Sequence, residues 1–146
     1  EKIHIAAHLH DIGKIGVPDA VLQKQGKLTE DEWQQMKKHP EYGANILKKS
    51  HRLSELSEIV LMHHERFDGK GYPFGKSGNE IPLGARIIAI CDSIDAMTSN
   101  RCYRKSLSFE TCYNEIKINL GKMYDPQIGQ KVLDNWSQII GVLGQA

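Results

Sequence analysis

Cysteine is scarce in this chain of 146 residues: there are three, Cys91, Cys102 and Cys112. The count is odd and no C-x-x-C pair occurs, which argues against both a disulfide framework and a cysteine zinc site. A reducing, cytoplasmic setting is expected, for a free protein or for the cytoplasmic part of a membrane-anchored sensor. Net charge is also nearly lacking. Nineteen basic residues against 18 acidic ones leave +1, which excludes bulk attraction to DNA or to a membrane surface, so any anion must be gripped locally. No apolar run approaches the ~20 residues of a membrane span. The start has no basic stretch leading into an apolar run and a cleavage site. Internal repeats and low-complexity tracts are missing too. The first residues, EKIHIAAHLHD, carry no methionine and read as the later turns of a helix already under way, so a segment of a longer protein is expected.

With 40% hydrophobic and 25% charged residues, the composition fits one globular domain over residues 1–146. The apolar residues recur at helical spacing rather than alternating, which predicts an all-α fold. The opening helix should be broken by Gly13 and by Gly16-Val17-Pro18, with a short helix through Ala20, Val21 and Leu22. Thr29 and Glu32 form a capping-box pattern, so a helix is expected from Glu30 toward His39, interrupted by Pro40. Further helices are expected over 42–49 and over 53–64, the latter burying Leu56, Ile59, Val60 and Met62. Residues 67–82, FDGKGYPFGKSGNEIP, hold four glycines and two prolines and must be a long loop. The strongest helix should run from Leu83 to about Ser99, burying Leu83, Ile87, Ile90, Cys91, Ile94 and Met97, with Asp92 and Asp95 on its other side. Two closing helices are expected, one entered near Ser108 and one at Asp125-Pro126, the last packing through Ile128, Val132, Trp136 and Ile139.

The seven histidines are placed unusually. His10 is followed by Asp11, and His63 by His64, both pairs near helix ends in apolar company. An isolated histidine in such a place is usually a satisfied polar residue or a cap partner, and that reading stands for His4, His8 and His51. Neighbours on a helix point about 100° apart, so adjacent ligands serve two ions, or one ion and a bridge, more naturally than one ion. A carboxylate such as Asp11 can bridge; an imidazole cannot. With His39 and Asp92 the set has four imidazoles and two carboxylates, which suits Fe, Mn, Ni or Zn rather than Ca or Mg.

The strings HDIGKIGVPD, KKHPEYGANIL and HHERFDGKGYPFGKSGNEIP, followed by ARIIAICDSIDAMTSNRCYR and a late GKMYDP, closely resemble the HD-GYP domain. This is the branch of the HD phosphohydrolase superfamily that bacteria use to hydrolyse cyclic di-GMP. The ordered motifs spread over more than 120 residues. The resemblance implies an HD-type helical bundle whose long Gly/Pro-rich loop carries the signature Asp68, Gly69, Gly71, Tyr72 and Pro73, and it implies that the first helix of the domain lies upstream of residue 1. It assigns metal binding to His10, Asp11, His39, His63, His64 and Asp92, with Asp11 bridging two or three divalent transition ions, Fe or Mn ahead of Ni or Zn. Lys14, Arg101 and Arg104 correspond to the positions that meet substrate phosphates, and Asp11 and Lys14 carry the catalytic expectation.

Two metal ions about 4 Å apart can present hydroxide to phosphorus and stabilise the phosphoryl oxygens, which suits phosphodiester hydrolysis. The expected reaction is conversion of cyclic di-GMP to linear pGpG, with GMP open as a final product, in second-messenger signalling of the two-component type. Tyr72 could stack on a base or hold its own loop. The loop is also a candidate docking surface for GGDEF cyclase domains, and a receiver or sensor domain is expected upstream. The rival readings are a non-catalytic module that binds the dinucleotide or a GGDEF partner, and a hydrolase of another cyclic dinucleotide such as cyclic GMP-AMP. The sequence departs from the family pattern at His8, Gln25 and Lys76.

Overall fold

The structure, a computed structural model, describes residues 1–99 and 106–143. Arg101, Cys102 and Arg104 lie outside the described residues. Among the described residues the architecture is all-α, as the apolar periodicity predicts, and the only pairings of strand type are two isolated bridges, Asp68 with Ser77 and Leu120 with Tyr124.

The opening helix α1 (Lys2–Leu9) ends earlier than expected, and a 3-10 turn, Ile12–Gly16, carries the chain past the His10-Asp11 pair. Lys14 therefore stands on this turn. A single helical turn, α2 (Asp19–Leu22), follows. Next comes α3 (Glu30–Met36), whose start is the predicted capping box: Glu32 N donates to Thr29 Oγ1 over 3.3 Å and Thr29 N to Glu32 Oε2 over 2.7 Å.

Pro40 does not interrupt a helix. It sits in the first turn of α4 (His39–Lys48), where a missing N–H costs nothing because first-turn amides have no partner within the helix. The expected helix over 53–64 is likewise shorter, a 3-10 turn at Ser54–Leu56 running into α5 (Ser57–Leu61), with His63 and His64 beyond its end. The glycine-rich segment is a loop apart from a 3-10 turn at Gly78–Glu80.

Helix α6 (Leu83–Thr98) is the spine of the fold. Its Ala85 packs with Met62 and Ile81, its Ile88 with Ala6, Leu47, Leu56 and Val60, and its Ile90 and Ile94 with Cys112, Ile116, Tyr124 and Leu133. The stripe differs from expectation: Leu83 is 54% exposed and Cys91 is exposed, with no element among the described residues covering them, and Ile87 and Met97 are only half-buried. Asp95 is exposed, whereas Asp92 turns partly inward. Helix α7 (Phe109–Ile118) is capped by Ser108, and α8 (Pro126–Asp134) by Asp125, whose Oδ1 accepts from Gln127 N and Ile128 N. The expected single last helix is two, since α9 (Trp136–Leu143) restarts after Asn135 and sets Trp136 edge-on against Tyr113. Among the described residues no helix is long and apolar enough to cross a membrane.

Candidate metal centre

Three histidines of the centre are placed by one local device. Each follows the last turn of a helix and donates Nδ1–H to the carbonyl three residues earlier: His10 to Ala7 O at 2.6 Å, His39 to Met36 O at 2.8 Å and His63 to Val60 O at 2.6 Å. These carbonyls would otherwise lack an intrahelical partner, so the side chains cap α1, α3 and α5. A carbonyl only accepts, which puts the proton on Nδ1 and leaves the Nε2 lone pair facing inward. The bond that ends each helix also sets the tautomer suited to binding a cation.

The inward nitrogens converge. His39 Nε2 lies 3.4 Å from His63 Nε2 and 3.1 Å from His64 Nε2. Because His39 and His63 have committed their Nδ1 protons to carbonyls, their contact sets lone pair against lone pair in the neutral rings, an arrangement a cation relieves. Asp11, His39, His63 and His64 each offer a ligand atom within 4.8 Å of all the others.

Asp11 faces two ways. Its Oδ1 is 3.3 Å from His39 Nε2, and its Oδ2 is 3.5 Å from His10 Nε2 and 2.5 Å from Lys14 Nζ. His10 Nε2 is in turn 3.7 Å from Asp92 Oδ1. This nitrogen is buried and has no hydrogen-bond partner among the described residues. A buried, unpaired acceptor between two carboxylates fits a bound cation. The donor set of imidazole nitrogens and carboxylate oxygens is one for divalent transition ions, so the residues present fit the metal that the motifs imply.

The glycines allow these segments to meet. A Cβ at buried Gly13 would overlap the His39 carbonyl oxygen and the Gly43 amide, so the turn after Asp11 lies on the backbone of α4 only because residue 13 has no side chain. Gly71 is equivalent in the loop: a Cβ there would collide with the backbone of residues 64–66, where Tyr72 N donates to His64 O over 3.2 Å. Tyr72 thereby stacks on His64, with ring centroids 4.9 Å apart, and also meets Trp33 edge-on. A cleft of about 210 Å³ next to Tyr72 is lined by Gln34, Lys37, Lys38, Glu41 and Pro73.

Sequence reasoning missed Glu65. It is 3% exposed and accepts from Phe74 N at 2.7 Å and Lys76 N at 3.0 Å, so one buried carboxylate ties the loop to the segment carrying His63 and His64. The only signal was its adjacency to His64, since its partners are loop amides set by the fold. Asp68, at the head of the signature loop, accepts from Arg66 Nε at 3.1 Å and Arg66 Nη2 at 2.7 Å and from the Lys70 amide at 3.1 Å, which fixes the loop's entry. Glu65→Ala would strand two loop amides and is expected to cost about 2 kcal/mol. Urea unfolding and protease cleavage within residues 67–82 measure it; unchanged stability and protection would contradict the role.

The electrostatics keep His63 and His64 neutral and Asp11 and Asp92 ionised. Burial pushes His63 down from 6.5 to about 4, and burial with the neighbouring His63 and His39 pushes His64 down to about 2. Burial works to raise the Asp11 carboxyl, but the His39 imidazole and the Lys14 ammonium outweigh it and hold Asp11 below the usual carboxylate range. Asp92 raises His10 against burial and is itself lowered by it, while burial raises the Tyr72 hydroxyl.

These shifts predict how metal-free protein responds to acid. Between 6.5 and about 4 the unfolded chain binds a proton that folded His63 refuses, so stability falls with falling pH by ~1.4 kcal/mol per unit. His64 acts in the same direction. The raised His10 acts oppositely, holding its proton better when folded. Metal-free protein is therefore expected to lose about 2 kcal/mol between pH 6.5 and pH 5, as urea unfolding at the two pH values would record. Constant or rising stability over that interval would contradict the neutral, buried state of these rings.

The HD domain family matches residues 1–128. The chain is 44% identical to a protein of Thermotoga maritima named cyclic di-GMP phosphodiesterase, over 97% of this chain and 39% of that protein. It is 38% identical to a protein of Vibrio cholerae named 3'3'-cGAMP-specific phosphodiesterase 2, over 97% of this chain and 28% of that protein. It thus spans well under half the length of these curated relatives. The crystal structure of a cyclic GMP-AMP-specific phosphodiesterase of Vibrio cholerae superposes on 94% of this chain and 38% of its own, with a TM-score of 0.70 and 18% identity, a likeness of fold. With the His10-Asp11 and His63-His64 pairs drawn to one centre on an all-α frame, and with the family matched over most of its length, the chain belongs to the HD domain family.

Proposed function

We propose that this chain is the catalytic domain of a metal-dependent phosphodiesterase that hydrolyses cyclic di-GMP to pGpG, and to GMP where hydrolysis continues. The observation that carries this reading is the convergence of inward Nε2 lone pairs on Asp11, with His10 Nε2 buried and unpaired. His39, His63 and His64 would hold one divalent ion and His10 and Asp92 another, Asp11 reaching both through its separate oxygens. Fe and Mn suit this mixed set, as do Ni and Zn. Such ions, when bound, supply Lewis-acid stabilisation of phosphoryl oxygens and the hydroxide for in-line attack.

The chain's own groups do the rest. Lys14, ion-paired to Asp11 at the mouth of the centre, neutralises a phosphate brought there. The sequence motifs assign Arg101 and Arg104 to the same task. Tyr72, held flat on His64 and flanked by Trp33, would meet a base only where it lines the adjoining cleft, in which Lys37 and Lys38 supply cations for a second phosphate. The loop around Tyr72 would also serve as the docking surface for a GGDEF domain, and the greater length of the relatives leaves room for a receiver or sensor domain.

A second reading changes only the substrate. The relative named as 3'3'-cGAMP-specific favours it, because phosphate chemistry at the centre is blind to the base and selectivity lies in the pocket walls. Anaerobically purified protein, analysed for metal and assayed on both dinucleotides, separates the possibilities. Two or more ion equivalents with pGpG from cyclic di-GMP supports the proposal. Turnover of 3'3'-cGAMP alone moves the substrate, and folded, metal-loaded protein that turns over neither is a binding module.

A further inference from the structure

His4 and His8 take no part in the centre described above. They stand one helical turn apart on α1, both exposed, at the i and i+4 positions that share a helix face. Their Nε2 atoms are 3.2 Å apart and their rings are perpendicular, with centroids 4.6 Å from each other. We propose that this pair is a separate surface site that chelates one borderline transition-metal ion of the Zn²⁺, Ni²⁺ or Cu²⁺ class.

The geometry fits without moving the backbone. With metal–nitrogen bonds of about 2.1 Å, nitrogens 3.2 Å apart subtend about 100° at the ion. That angle lies between the square and tetrahedral values these ions adopt. Water completes the shell on the exposed side. The cation nearest in sequence is already engaged, since Lys2 Nζ bonds Glu55 Oε2 at 2.7 Å. The next histidine along the helix belongs elsewhere: His10 gives Nδ1–H to Ala7 O and turns Nε2 toward Asp11 and Asp92.

An ion held by residues 4 and 8 staples two successive turns of α1. That helix buries Ala6 against Leu47, Leu56, Val60 and Ile88, and it ends at His10. Occupancy of the surface pair would therefore firm the element that delivers His10 and Asp11 to the centre. The proposal does not depend on which reaction the centre carries out.

The test uses the intact chain with its main centre already loaded, titrated calorimetrically with Zn²⁺. The expected result is one further equivalent, lost in His4→Ala and lost in His8→Ala, because a single exposed imidazole no longer chelates. Main-centre metal content, hydrolytic rate and helical circular dichroism should be unchanged in both. His8→Gln, which keeps a polar side chain on the helix, serves if an alanine variant folds poorly. Absence of the further equivalent in the unaltered chain, or its persistence in the variants, would overturn the site and leave the 3.2 Å contact as a hydrogen bond between two imidazoles.

Discussion

Asp11→Ala protein is expected to purify with its fold intact, without its full complement of metal, and with hydrolysis reduced by a factor on the order of 10³ or more. Among the described residues this carboxylate is the one whose two oxygens face both groups of imidazoles, Oδ1 toward His39 and Oδ2 toward His10. Metal ions contribute several kcal/mol of charge stabilisation to the transition state, and each ~1.36 kcal/mol is tenfold in rate. The folding cost should be small. The pair that Asp11 makes with Lys14 is more than a third exposed on both sides, and such pairs contribute ~0–1 kcal/mol. Elemental analysis, circular dichroism and turnover on one sample check this, with Asp11→Asn as the variant that preserves shape while removing charge. Asp11→Ala protein with full metal and full turnover would show that the bridge lies elsewhere.

Gly13→Ala is expected to be the most damaging single methyl group in the chain, costing at least about 3 kcal/mol and metal binding with it. The position is buried, and the added carbon would overlap two backbone atoms of α4, the His39 carbonyl oxygen and the Gly43 amide. Backbone atoms within a helix do not yield as a side-chain tip does, so the 3-10 turn must lift away from α4. Lifting it moves Asp11 from His39, a contact of 3.3 Å on which the centre depends. A useful contrast is Gly26→Ala, at a position with open space around it. There the left-handed backbone alone is at issue, with a cost of about 1 kcal/mol and no effect on metal. Thermal melts and metal content of the two variants make the comparison. Equal stabilities would show that α4 accommodates the turn.

The particular places where expectation and structure part have local causes. The capping box at Thr29 and the Asp125-Pro126 start were legible because their bonds span three residues. Pro40 reads as a break in sequence and is none in the structure, since the same residue is welcome in a first turn and the sequence does not say where α3 ends. Helix α5 stops at Leu61 because His63 caps the Val60 carbonyl, a choice a histidine makes only when its other nitrogen has somewhere to point. Leu83 and Cys91 look like core by spacing and are exposed, because burial is a property of what packs alongside and no element among the described residues covers them.

For the centre, residue type and order were enough to nominate His10, Asp11, His39, His63, His64 and Asp92, since imidazole and carboxylate chemistry is carried by the side chains themselves. Their meeting was not legible. Asp11 and His64 are 53 positions apart, and they come together only because Gly13 lets one backbone rest on another and α6 packs on both α1 and α5. Glu65 belongs wholly to that second level, a carboxylate whose partners are amides nine and eleven residues on. Helical class, candidate ligand chemistry and motif order can be read from the residues alone, because each depends on side-chain identity and short-range spacing. Which nitrogens face inward, which oxygen of Asp11 meets which histidine, and what holds the loop emerge from the packed fold, because those depend on distances between segments that no local interaction fixes.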